Sequence, residues 1–230
     1  MLFPPLADRE RFLFAASVYF FLFSCYNDTK ISKKDCFNPM EYHLQYIPPE
    51  DIDRVYPLLE RDFPADERKK EAHLRALMES GMEVGWYLMA DGHMAGYAFM
   101  LRHPAVPYVL LDYLAMEEHG RGSGSACLAL LKNEYPQGIL AEVEAVDPDL
   151  DETTAALRTR RIGFYQRAGF IPCPFPNRIF NVHYLVHLWC MDAPQNPAPA
   201  VAAALDTLYA LQLPDEVYRS RVFIDAPEEN

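Results

Sequence analysis

Seven residues, His119-Gly120-Arg121-Gly122-Ser123-Gly124-Ser125, follow a nearly continuous apolar run (YVLLDYLAM, 108–116) and lead into a helical pattern. Three glycines spaced by one let main-chain N–H groups approach a ligand without Cβ obstruction. A helix starting there would add its own end amides and the positive pole of its dipole. Such a turn can cradle a pyrophosphate, and the same glycines could equally form no more than a tight strand-to-helix turn. Two nucleotide patterns fit badly. A phosphate-binding P-loop needs a lysine that this turn lacks. The dinucleotide fingerprint needs a third glycine where Ser125 stands, although Glu142 lies at a suitable distance for its acidic partner.

Other reactive side chains are scattered. Glu142 and Glu144 lie two apart in an expected strand and so share one face. Asp112 sits inside the apolar run, where a hydrogen-bonded structural role is the better expectation. His183 and His187 are four apart on an expected strand, roughly 13 Å along it, too far to ligate one ion together. No metal site is expected. Arg158, Arg160 and Arg161 form a local basic cluster that leaves an anion site open.

These groups need a scaffold of alternating strands and helices, beginning near Met40. Residues 42–47 read as a strand, 50–62 as a helix with a kink at Pro57, and 65–80 as a second helix closed by Gly81. Strands 84–90 and 94–101 are joined by Asp91-Gly92, a dipeptide suited to a tight hairpin. The run 108–116 reads as a central strand covered on both faces. Helix 123–135, strand 139–146, helix 151–168 and strands 170–173 and 183–191 complete the pattern. Proline-rich residues 193–199 lead to a helix over 200–213. The expected fold class is α/β (α+β): a mixed, mostly antiparallel sheet flanked by helices. The expected divisions are an extension (1–39), a domain (40–192) and a C-terminal helical appendage (193–230). Within the last, 200–213 and 215–224 could cover a sheet edge or form a homodimer contact.

Composition narrows the class. The net charge of −12 argues against general nucleic-acid binding, which needs excess Lys and Arg. Five cysteines without a CxxC pair suggest reduced thiols and a cytoplasmic protein. Residues 12–26 form an aromatic apolar run, short against the ~20 residues of a spanning helix and preceded by a charge-balanced rather than positive segment. An extension outside the fold, without stable membrane association, is the reading taken.

The turn and a later segment together resemble the GNAT N-acetyltransferases. His119-Gly120-Arg121-Gly122-Ser123-Gly124 resembles that family's acetyl-CoA motif, Gln/Arg-x-x-Gly-x-Gly/Ala. Arg161-Ile162-Gly163-Phe164-Tyr165-Gln166-Arg167-Ala168-Gly169-Phe170 is similar to its late helix, which ends in Phe-Tyr-x-x-x-Gly-Phe. The resemblance spans 40–192, and 111–115 with 141–144 look like a bacterial subgroup of unsettled substrate. His119 stands where the family prefers Gln or Arg, and the link from Met116 to His119 is about two residues shorter than the commonest family loop.

The resemblance implies acetyl-CoA as co-substrate, with direct attack by a primary amine in a ternary complex. It implies cofactor contacts from Leu114, Ala115 and Met116 and from residues 119–125, with a main-chain N–H near 114–116 stabilising the oxyanion. Tyr165 would hydrogen-bond the CoA sulfur and protonate the leaving thiolate. Glu142 or Glu144 would bind the ammonium or relay its proton, unless both are solvated edge carboxylates. The acceptor would lie between 63–68 and 174–180, and the acidic balance favours a small cationic amine. A non-catalytic acyl-CoA-binding module is the alternative. It would keep Gly122 and Gly124 and dispense with Tyr165.

Overall fold

The computed structural model describes residues 41–65, 67–117, 122–225 and 227. The expected extension at 1–39 lies outside them. In chain order the elements are β1 (Tyr42–Ile47), a 3-10 turn (Pro49–Asp51), α1 (Ile52–Asp62), α2 (Glu71–Glu79), β2 (Glu83–Ala90) and β3 (His93–Leu101). Then follow β4 (Val109–Met116), α3 (Ser123–Glu134), β5 (Ile139–Glu144), α4 (Glu152–Arg167), β6 (Ile171–Cys173), β7 (Asn177–Ile179) and β8 (Tyr184–Trp189). The chain ends with α5 (Ala198–Gln212), α6 (Asp215–Arg221) and β9 (Val222–Ile224).

Seven strands form one sheet in the order β1-β2-β3-β4-β5-β8-β6. Every neighbouring pair is antiparallel except β4 and β5, which α3 joins by a crossover. The β2–β3 turn has Asp91 at φ 49° and Gly92 at φ 79°, the paired positive angles that a right-twisted hairpin needs. This is the expected mixed, mostly antiparallel sheet with flanking helices.

Alternation along the strands sorts side chains to two faces. Leu111, Leu114, Ala141 and Val143 meet Cys127, Leu128 and Leu131 of α3 and Tyr165 of α4 on one face. On the other, Tyr97, Phe99 and Tyr113 pack with α1 and α2, while Leu110, Leu140 and Leu188 pack with α5.

Three expectations need correction. The second helix is shorter than 65–80, because the chain before it is held by side chains instead of its own ladder. The Lys69 N–H donates to the Tyr113 hydroxyl at 2.8 Å, and the Tyr56 hydroxyl donates to the Lys69 carbonyl at 3.1 Å. Strands β7 and β9 were not foreseen, since three-residue strands show too little alternation to register. The C-terminal helix, expected at a sheet edge or a dimer contact, packs on the sheet face, where Val201, Ala202, Leu205, Leu208 and Tyr209 are wholly buried. No helix among the described residues is long and apolar enough to cross a membrane.

Candidate active site at a forked strand pair

β4 and β5 begin as a parallel pair and then part. Their register runs Val109↔Ile139, Leu110↔Leu140, Leu111↔Ala141 and stops, although β4 continues to Met116 and β5 to Glu144. A bulge marks the fork. On the β3 side Phe99 pairs with Tyr113 and Met100 with Leu111, so Asp112 is an extra residue in β4. Bulges increase twist and bend a strand away from its partner.

The fork exposes one set of main-chain groups. Glu117 N–H donates to Ala95 O on the β3 side at 2.9 Å. Backbone direction alternates along an antiparallel strand, so the N–H of Ala115 shares that direction. Those of Leu114 and Met116 point the other way, into the fork. The expectation of an amide donor near 114–116 therefore acquires two specific groups.

Beyond β4 the chain reaches α3. Gly122 is its N-cap at φ 81°, with no side-chain cap, and a Cβ there would meet none of the described residues within 4 Å. No acidic residue occupies the first turn to repel an anion. Ser123 and Gly124 are buried and Ser125 is exposed. His119, Gly120 and Arg121 lie outside the described residues.

Across the fork, α4 carries Tyr165. Its ring is buried against Phe164, Phe170 and His187, with centroids 5.2, 5.3 and 6.3 Å away. Its hydroxyl is buried with no hydrogen-bond partner among the described residues. An orphan phenol O–H in an apolar wall costs free energy unless a ligand atom meets it. Burial pushes its pKa well above the ordinary tyrosine value, so it holds its proton at neutral pH. Together, a glycine N-cap without a side-chain cap, a fork with inward amides and an orphan hydroxyl fit an acyl-CoA, whose diphosphate, pantetheine amides and thioester need those three things.

The two glutamates part company. Glu142, the first β5 residue past the last pair, is buried, and its Oε2 accepts from the Tyr209 hydroxyl of α5 at 2.7 Å. Its Oε1 has no hydrogen-bond partner among the described residues. Burial raises its pKa to about 8, although the Tyr209 hydrogen bond pulls it down. Glu144 instead takes Arg158 at 2.6 Å and Arg161 at 3.2 Å. Arg158 also donates to the Ala145 carbonyl at 2.8 Å, so much of the basic cluster is spent on the end of β5.

Asp112 is buried and hydrogen-bonded, through a partner, Lys69, that the spacing did not reveal. Lys69, buried, pairs with Asp112 and lies 3.4 Å from Glu83, which is also buried. Burial opposes the lysine charge, but Asp112 and Glu83 more than offset this and raise its pKa. Glu83 is pushed up to about 8 by burial, against the pull of Lys69. Asp112 and Lys69 also act on Glu142 electrostatically. Lys69, Glu83 and Tyr209 were missed. The one available signal was Asp112 itself, because an acid inside a buried strand demands a cation or donor from elsewhere.

His183 Nδ1 meets the Asn177 carbonyl at 2.8 Å and His187 Nδ1 the Leu185 carbonyl at 3.1 Å. Among the described residues no group of three or more His, Cys, Asp or Glu is placed to hold a metal.

No protein-family model matches the chain. A curated relative, "Putative acetyltransferase YjbC" of Bacillus subtilis (strain 168), is 32% identical over 115 residues, 50% of this chain and 55% of its own. The chain thus spans about half the length of the curated relative it matches. Among solved structures, "Putative acetyltransferase from GNAT family from Bacteroides thetaiotaomicron" superposes with a TM-score of 0.59 at 21% identity, covering 72% of this chain and 96% of that one. An aminoglycoside 6'-N-acetyltransferase complexed with coenzyme A gives a TM-score of 0.50 at 14% identity, covering 66% of this chain and 99% of that one. The chain has the fold of the GNAT acetyltransferases and is related in sequence, over half its length, to a protein that bears an acetyltransferase name.

Proposed function

We propose that the protein is an acetyl-CoA-dependent N-acetyltransferase acting on the primary amine of a small cationic molecule. The observation that carries the reading is the fork between β4 and β5. It leads from the glycine-capped start of α3 past the inward amides of Leu114 and Met116 to the orphan Tyr165 hydroxyl.

In this reading the α3 N-terminus and the turn before it (residues 119–125) hold the diphosphate, with Ala115 fixing the strand between the two amide donors. The amine nitrogen attacks the thioester carbonyl, and the C–N bond forms as the C–S bond breaks. The Leu114 N–H stabilises the oxyanion, a preorganised donor needing no reorientation. Tyr165, protonated at neutral pH, hydrogen-bonds the departing sulfur and supplies its proton. Glu142, as carboxylate, takes the proton that the amine loses. Glu144 contributes by anchoring Arg158 and Arg161 at the end of β5, and through them the wall that carries Tyr165. A fold shared with an enzyme named for aminoglycoside acetylation and complexed with coenzyme A supports the choice of co-substrate class.

The test is a titration with CoA and acetyl-CoA, followed by a thiol-release screen over polyamines, aminoglycosides, amino acids and peptide N-termini. Binding with turnover on at least one amine is expected. Binding without turnover on any would favour the non-catalytic acyl-CoA module, and no binding would overturn both readings.

A further inference from the structure

The C-terminal helix reaches the fork. α5 lies outside the expected 40–192 domain, yet it is packed on the sheet face that bears Leu110 and Leu140. His73 of α2 hydrogen-bonds to the backbone of Gln212 at its end, so α2 and α5 abut. From this position Tyr209, itself wholly buried, donates to Glu142 Oε2 at 2.7 Å. A phenol–carboxylate hydrogen bond is charge-assisted when the acid ionises, and it fixes the carboxyl rotamer in either state.

We propose that Tyr209 is a positioning residue of the transfer reaction: its hydroxyl pins one oxygen of Glu142, leaving the other, Oε1, as the proton acceptor presented to the amine at the fork. The proposal rests on the acetyltransferase reading above. It makes the helix 198–212 part of the reaction centre, where the sequence suggested an appendage. The groups acting on Glu142 come from three elements: Tyr209 from α5, Asp112 from β4, and Lys69 from the segment before α2. Lys69 is in turn held by Glu83 of β2. Tyr184 of β8 adds to the field on Tyr209. Of these only Tyr209 touches Glu142 by a hydrogen bond, and that bond favours the carboxylate, against burial.

Replacing the phenol by Phe keeps the ring and removes the bond. In the full-length protein, Tyr209→Phe is expected to move the acid limb of the kcat/KM profile to higher pH. For a shift of one pH unit from about 8, kcat/KM at pH 6.5 should fall about tenfold, against about twofold at pH 9. Affinity for CoA should be retained. A second readout needs no activity: the infrared C=O band of protonated Glu142, assigned by its loss in Glu142→Gln, should persist to higher pH in Tyr209→Phe. Glu142→Gln still accepts the Tyr209 hydrogen bond, so it should fold and lose the acid limb altogether. An unchanged limb and band in Tyr209→Phe would overturn the proposal, as would full turnover in Glu142→Gln. If the unsubstituted protein acetylates no amine while the infrared band still shifts, the coupling stands and the acetyltransferase reading is what fails.

Discussion

Two side chains at the fork, Tyr165 and Glu142, are buried groups with an atom that has no partner among the described residues. Most buried polar atoms in native structures are paired, so an orphan beside a cleft is a place where a ligand or water can complete the bonding. For Tyr165 the consequence is a direct prediction. Tyr165→Phe removes a donor that the folded protein does not use, so thermal stability should hold or rise slightly. Turnover should drop by ~10²-fold, the lower range for general acid catalysis, with CoA affinity largely kept. Steady-state kinetics beside a melting curve checks both halves; unchanged turnover would remove Tyr165 from the mechanism. Lys69 is the opposite kind of residue. Its ammonium is the only cation facing Asp112 and Glu83 in this buried cluster among the described residues. Lys69→Met should cost ~3–5 kcal/mol in chemical denaturation, as removal of one partner from a buried ion pair does. A loss under about 1 kcal/mol, typical of exposed pairs, would mean that the pair is hydrated.

At the scale of elements, the fork depends on how β4 is held by β3. Gly96 makes this visible: a Cβ there would stand 2.5 Å from the Ala115 carbonyl and 2.6 Å from the Met116 methyl. The backbone of β3 must come that close for the far end of β4 to keep its register beyond the bulge. The other sensitive junction is the start of α3, where Gly122 is left-handed. Gly122→Ala meets no clash among the described residues, so its cost there is conformational, roughly 1–2 kcal/mol for an L residue in that region. If the turn opens to relieve it, CoA binding should weaken while the core around Leu128 and Leu131 stays folded. Calorimetric titration against circular dichroism would show this, and CoA affinity equal to that of the unsubstituted protein would sever the turn from the cofactor.

For the whole molecule the buried acids set a pH dependence of stability. Burial pushes the Glu142 carboxyl up to about 8, against about 4.5 when exposed, and raises that of Glu83 in the same direction. Between those values the folded state binds more protons than the unfolded one. Their contribution is therefore fully present below about pH 4.5, declines as pH rises, and is gone above about pH 8. The melting temperature should be higher near pH 6 than near pH 8.5, and Glu83→Gln should flatten the slope. A profile that rises steadily from pH 6 to pH 8.5 would contradict the burial of these carboxyls in neutral form.

What the sequence determined by itself was local. The Asp91-Gly92 hairpin, the glycine N-cap at 122, the helix bearing Tyr165 and the apolar run of β4 each follow from neighbouring residues, because turn angles and side-chain periodicity are short-range properties. Strand order was legible only as a class, and the segment 65–70 was misread because its backbone is held from Tyr56 and Tyr113. Tertiary structure alone decided the rest. The fork arises from a one-residue mismatch between β3 and β4, and no spacing along the chain reveals a bulge that exists only in a pairing. The meeting of Lys69, Glu83, Asp112, Glu142 and Tyr209 is likewise a product of packing. Five residues spread over 140 positions meet because a buried carboxylate is tolerable only where partners converge on it, and that convergence belongs to the folded chain.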